Sequence, residues 1–447
     1  MPEAAKTISP ENASSNTVIG KADKHIWGIY IFLLLISLVE LYSASSREVI
    51  ASGSFGVLSP LVRHGMMLGA GLVIVLLLQR VHYKYFIPAT YILTFISVIL
   101  MVCVLLFGEV VNGARRSISI GISIYPAELI KLSAVMVVSL IMARTQKKNG
   151  IGVTSKGVWY SAAAILFFSA LLIKNGLTNT LLLMAISLSM MLIGGVKFRD
   201  MLLVLTIYLA CGLAFLALFS GRADEPYQEV KVEHVASADG TTPTLVPIEK
   251  GKEVERSSTW TARISRWLDG DSIPKYDQKI NATNRQEMYA YMAQANGGLI
   301  GVFPGNSRET ARLPLAFSDF IYSIIIEDTG FVGGVFVLIL YLWLLGRASA
   351  VASRCTRAYP ALLVIGMAVM IVFQALFHMA IVTGVAPVSG QPLPLISKGG
   401  TSILVTSIAF GIMLSVSRFA TGQKKREIKL EIDALPENMR AENPTQL

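Results

Sequence analysis

Apolar residues along this chain gather into runs rather than stripes. Stretches such as "YIFLLLISLVELY", "GLVIVLLLQ" and "GVFVLILYLWLL" are hydrophobic all round, so a helix built from them keeps no polar face for water. A bilayer-spanning helix needs about 20 such residues. The pattern predicts ten spans, near residues 26–45, 62–79, 86–107, 124–143, 158–173, 178–195, 200–220, 317–346, 361–383 and 395–417. The span near 317–346 is long enough to tilt or break. The expected fold is all-α and polytopic: about ten transmembrane helices with one long extracytoplasmic loop.

Composition agrees. The chain is 53% hydrophobic and 15% charged, where a soluble protein carries about a quarter charged residues. Its formal charge of +10 is spread over short loops, which argues for membrane topology and against nucleic acid. The bases Lys21, Lys24, Arg80, Lys84, Arg144, Lys147, Lys197, Arg199, Arg347 and Arg354 fall on alternate connections, together with the tail "RFATGQKKREIKL". The positive-inside rule assigns that side, and both termini, to the cytoplasm. Residues 1–25 form a polar tail without the apolar core of a signal peptide, 26–418 the membrane domain, and 419–447 a second cytoplasmic tail. Cys103, Cys211 and Cys355 offer neither a disulfide framework nor metal-ligand spacing.

The connection at 221–316 is long and polar. Its first part, to about residue 255, is charged and poor in large apolar residues, so it cannot bury a core of its own. In "WTARISRWLDGD", Trp260, Ile264, Trp267 and Leu268 recur at helical spacing, which suits a helix lying in the interface.

Charges inside apolar runs mark candidate chemistry, because a carboxylate facing lipid is costly. In "LPLAFSDFIYSIIIEDTGF" the pattern places Asp319, Ser323 and Glu327 on one helical stripe, with Asp328 on the opposite side. In "NGARRSISIGISIYPAELIKLSAVMVV", Asn112-Gly113 signals a turn, Arg115 and Arg116 follow outside, and Pro126 and Glu128 suit a helix start. Lys131 lies within pairing reach of Glu128. That spacing fits a plain internal ion pair as well as a lysine held toward an anionic substrate. In "GVAPVSGQPLPLISKGGTS" three prolines forbid a continuous helix before Lys398. In "MAQANGGLIGVFPGNSRET" glycines with Asn306 and Ser307 make a loop or re-entrant segment able to close over a site. No nucleotide motif, metal cluster or nucleophile elbow accompanies these groups. A cationic rim with one carboxylate, opening outward from lipid, fits a lipid-linked anion.

The segments "NGARR", "YPAELIK", "GNSRE", "LPLAFSDFIYSIIIEDTGF" and "PVSGQPLPLISKGGTS" closely resemble the shape, elongation, division and sporulation (SEDS) family, in the right order, from about residue 26 to 418. The resemblance implies a ten-span inner-membrane glycosyltransferase that polymerises lipid II into glycan strands with a class B penicillin-binding protein. It matches the family's essential aspartate to Asp319 and the glutamate of its "EELG" run to Glu327, and maps its "QPSE..K" motif onto Tyr125, Pro126, Ala127, Glu128 and Lys131. This chain departs at "KNGLTNT" (174–180), where the family carries an acid, and at Phe317, His378 and "SKGGTS".

The implied chemistry uses Asp319 as general base on the attacking sugar hydroxyl. Undecaprenyl pyrophosphate leaves, stabilised by Lys131, Arg115, Arg63 or a divalent cation (Mg2+ or Mn2+). Glu128, Glu327, Lys398, Asn306 and Ser307 complete the substrate-binding candidates. A single acid suits one inverting displacement. A lipid II flippase is the alternative; it predicts charges near mid-membrane and an inverted repeat, neither of which the sequence carries. The long excursion and the tails favour a division-type member at the septum, working with other division proteins.

Overall fold

The computed structural model describes residues 20–52, 58–111, 114–120, 122–147, 152–173, 175–220, 267, 277–281, 284–313, 316–398 and 400–434. The charged excursion, the predicted interfacial helix apart from Trp267, and the ends of both tails lie outside them. The helices are α1 (Lys24–Ser52), α2 (Leu58–Leu78), α3 (Phe86–Phe107), α4 (Pro126–Arg144), α5 (Ser155–Ile173), α6 (Leu177–Ile193), α7 (Phe198–Ser220), α8 (Arg285–Gly297), α9 (Ile321–Ala352), α10 (Ala358–Val382) and α11 (Gly400–Ala434). All but α8, which has 13 residues, fall on the ten predicted spans. Seven are long and apolar enough to cross a bilayer, and shorter apolar helices occupy 64–78 and 177–193.

Helices α4, α10 and α11 are the most covered and α3 the least. Small residues let the central helices approach. A Cβ on Gly366 of α10 would come within 2.8 Å of Val135 on α4. Where α4 meets α3, Ser133 and Ser97 share a buried hydrogen bond of 3.0 Å.

The helical body carries one addition that the apolar runs do not announce. Strands β1 (Glu109–Val111), β2 (Ala114–Ile120) and β3 (Ile122–Ile124) form an antiparallel sheet in the order β1-β2-β3. The alternation "SISIGISI" has the period of two that a strand requires. The expected turn at 112–113 lies outside the described residues.

Helix α9 is not continuous. Gly330 adopts φ 74° and ψ −177°, a left-handed conformation that disfavours any side chain. An unbroken helix would bond Phe331 N to Glu327 O and Val332 N to Asp328 O. Instead the Glu327 and Asp328 carbonyls accept from Val302 N and Phe303 N, both at 2.9 Å. The Phe331 and Val332 amides donate to the carbonyls of Gly298 and Leu299 at 3.0 and 3.3 Å. The residues after α8 thus fill the break. At the far end of the bundle, Arg347 of α9 donates to Asp23 Oδ2 at 2.5 Å, and Asp23 Oδ1 accepts from the amides that open α1.

Candidate functional site

Asp319 lies in the turn before α9, not on the helix. Its carboxylate is half-buried, with Ser318 Oγ donating to Oδ1 at 2.8 Å. The predicted helical stripe therefore begins only at Ser323. The cause is capture of the carbonyls that would start the helix earlier: Lys398 N donates to Phe317 O at 2.8 Å and Ser397 Oγ to Ser318 O at 2.8 Å. The first turn then closes by the shorter bond from Ser323 N to Phe320 O at 3.0 Å. Lys398 likewise precedes α11 rather than opening it. Its side chain is exposed, with Nζ 6.0 Å from the centre of the Phe317 ring.

Glu327 is fully buried and faces the loop that follows α8. Its Oε1 accepts from Arg308 N at 2.9 Å, its Oε2 from Ser307 Oγ, and Glu309 N lies within 3.3 Å. Glu327 and Ser307 are therefore neighbours, while Asn306 is exposed and donates back to Val302 O at 3.0 Å. Asp328 points the other way, toward α1, where Ser43 Oγ donates to it at 2.5 Å and accepts from Gly305 N at 2.8 Å.

Lys131 and Glu128 pair at 2.7 Å on the first turns of α4, with 0% and 8% of their side-chain surfaces exposed. A buried pair needs its remaining valences filled. Gln374 Nε2 of α10 donates to Glu128 Oε2 at 3.0 Å, and Lys131 Nζ reaches Asn179 Oδ1 at 3.4 Å. Asn179 also accepts from Gln391 Nε2 at 2.9 Å. Pro126 and Glu128 open α4 as their positions predict. The side chains of Arg63, Arg115 and Arg116 lie outside the described residues; Arg115 pairs with Val110 through the β2–β1 ladder. Of the candidate cations whose side chains are described, Lys398 is exposed and Lys131 covered.

Sequence reasoning missed Asn179, Gln374 and Gln391, and also Glu40, which is 1% exposed on α1 one turn before Ser43. Glu40 had a signal, an acid alone in an apolar run. The amides had none beyond being polar. Among the described residues, no three His, Cys, Asp or Glu side chains stand together to hold a metal.

The sequence matches the FtsW, RodA and SpoVE family, described as "Cell cycle protein", over residues 23–242 and 254–422. The chain belongs to this family. SEDS relatives share modest identity over 77% to 96% of their own length. Stage V sporulation protein E of Bacillus subtilis is 27% identical over 402 residues, covering 88% of this chain and 96% of that protein. A probable peptidoglycan glycosyltransferase FtsW of Trichlorobacter lovleyi is 28% identical over 393 residues, covering 87% of this chain and 91% of that protein. The SEDS fold is confirmed by the rod shape determining protein RodA of Thermus thermophilus, with a TM-score of 0.57 at 22% identity over 89% of this chain and 97% of that one. A chain from a structure titled for the coordination of polymerization and crosslinking by a peptidoglycan synthase complex gives a TM-score of 0.60 at 23% identity, over 89% and 98%. This chain is a multi-pass membrane protein of that fold.

Proposed function

We propose that this protein is a peptidoglycan glycosyltransferase that polymerises lipid II, with Asp319 as general base. The observation that carries the reading is a half-buried carboxylate in an irregular turn, held by the segment that bears the exposed Lys398. A base must reach substrate, and a helical position deep in the bundle would not.

In the reaction, an acceptor sugar hydroxyl attacks the anomeric carbon of the donor. The hydroxyl proton passes to the Asp319 carboxylate, the bond from that carbon to the pyrophosphate oxygen breaks, and its electron pair leaves with undecaprenyl pyrophosphate. General base catalysis of this kind contributes about 10²–10⁴-fold. Lys398 and Arg115 belong to the candidate cationic rim for the leaving group. Lys131, being covered, supports the site from behind rather than meeting pyrophosphate in this state.

The basic loops support an orientation with the Asp319 end outside and both termini in the cytoplasm, in the bacterial inner membrane. The partner is a class B penicillin-binding protein, and the long excursion favours work at the division septum. The test is purified protein with labelled lipid II, with and without that partner. Glycan strands that depend on Asp319 support the reading, and translocation of lipid II without polymer would replace it with a flippase.

A further inference from the structure

The buried Lys131 cluster and the turn carrying Asp319 are joined by one short stretch of chain, residues 391–398. At its near end the atom roles are forced. A lysine ammonium only donates, so the Asn179 atom that meets Lys131 Nζ at 3.4 Å is the amide oxygen. That same oxygen lies 2.9 Å from the Gln391 amide, so Gln391 must present its NH₂ there. Asn179 Nδ2 then points to Asn175 Oδ1 at 3.3 Å, as this orientation requires. The backbone carbonyl of Gln391 accepts from His378 Nδ1 at 2.6 Å. His378 sits one turn after Gln374, which donates to Glu128. Residue 391 is thus pinned to α6 by its side chain and to α10 by its backbone, and both anchors reach the Glu128–Lys131 pair.

From there the segment is stiff. Pro392 and Pro394 fix two backbone angles, and Leu393, Leu395, Ile396 and Ser397 are all buried. Ser397 Oγ accepts from Leu393 N at 2.7 Å, and the Pro394 and Ile396 carbonyls are held by Tyr341 and Ser37 at 2.6 and 3.1 Å. At the far end Ser397 and Lys398 hold the Ser318 and Phe317 carbonyls beside Asp319.

We propose that Gln391 is a positioning residue. Its amide sets the register of the 391–398 strut against the Lys131–Glu128 pair, and the strut sets the place of the Asp319 turn. The proposal rests on the reading of Asp319 as base. It also gives the buried lysine a role at a distance from the substrate. Displacement of a reacting group by about 1 Å costs on the order of 10²-fold in rate, so a strut that slips by less still registers.

The experiment compares full-length Gln391→Leu, Asn179→Leu and the double variant in lipid II polymerisation with the synthase partner present, alongside Asp319→Asn. The expected result is a fall in kcat of at least about tenfold for each single variant, a KM for lipid II within about threefold, and no further loss in the double variant. Thermal midpoints within a few degrees of wild type exclude general unfolding. Gln391→Met keeps the length of the side chain and removes the amide without adding a charge, so it gives the same reading if the leucine variant does not accumulate. Wild-type kcat in the Gln391 variants, or losses that multiply in the double variant, overturns the proposal. An inactive Asp319→Asn beside a fully active Gln391→Leu sinks the strut and leaves the base standing. An active Asp319→Asn sinks the base itself.

Discussion

Glu327 Oε1 accepts the backbone amide of Arg308 at 2.9 Å, so an acid inside α9 fixes a loop that precedes it in the chain. Ser307 and Glu309 add their own bonds to the same carboxylate. Hydrogen bonds to a charged group contribute about 1.5–3 kcal/mol each. Glu327→Ala is expected to lower unfolding stability by about 3 kcal/mol, and Glu327→Gln by less, because an acceptor remains for the amides. Thermal unfolding in detergent measures both; an alanine variant as stable as wild type would mean the loop is held elsewhere.

Asp319 Oδ1 accepts from Ser318 Oγ at 2.8 Å, and the amide oxygen of an asparagine can take the same bond. Asp319→Asn is expected to abolish polymerisation while the protein still inserts and still binds its partner. Labelled lipid II assays beside co-purification settle it, and wild-type rates would remove Asp319 from the chemistry.

The Glu128–Lys131 pair separates stability from activity. Glu128→Ala leaves a buried ammonium without its counter-charge and is expected to cost about 3–5 kcal/mol. Replacing both, as Glu128→Gln with Lys131→Met, is expected to recover most of that stability without recovering activity, because the bond to Asn179 is still missing. Calorimetry and polymerisation on the same preparations test the split. Full activity of Lys131→Ala at saturating lipid II would contradict it.

Asp23 responds to pH in a defined direction. Burial would raise its carboxyl, but the Arg347 hydrogen bond, the Ile26 amide, the Arg347 charge and the His25 amide outweigh that and hold it below its ordinary value. A folded value below the unfolded one means the stabilisation is complete above about pH 4 and is lost as pH falls through the folded value. Asp23→Asn is expected to lower stability at neutral pH by about 1–3 kcal/mol. The gap from wild type should close on acidification, and a gap that is flat with pH would show that Asp23 acts only by its shape.

The ten spans were legible because lipid exposure demands unbroken apolar runs, and α4 and α10 read as clearly as the peripheral α3. The Glu128–Lys131 pair was legible because its partners are one turn apart. The start of α9 was not, because it depends on Ser397 and Lys398 taking the carbonyls of residues far away in sequence. The same holds for Asn179 and Gln391, whose contact joins positions 212 apart; nothing local marks either amide. The sheet at 109–124 had a local signal in its Ser–Ile alternation, masked by reading the region as a loop between spans. Of the departures from the SEDS pattern, Asn179 of "KNGLTNT" meets Lys131, and His378 donates to the Gln391 carbonyl.

The break at Gly330 bears on how the protein is made. A hydrophobic segment entering the bilayer normally arrives with every backbone bond closed within itself. Helix α9 arrives with two of its own bonds forgone, and residues 298–303, synthesised just before it, hold the replacements. Insertion of α9 is therefore conditional on a segment already delivered to the same side, and the two form a unit that has to be released together. Moving 298–303 behind α9 by circular permutation leaves the gap open at the moment of entry. An alanine at Gly330, whose Cβ would stand 2.3 Å from the Leu299 carbonyl, drives the two pieces apart after it. Both changes would make α9 a substrate for membrane quality control before any wall chemistry is reached.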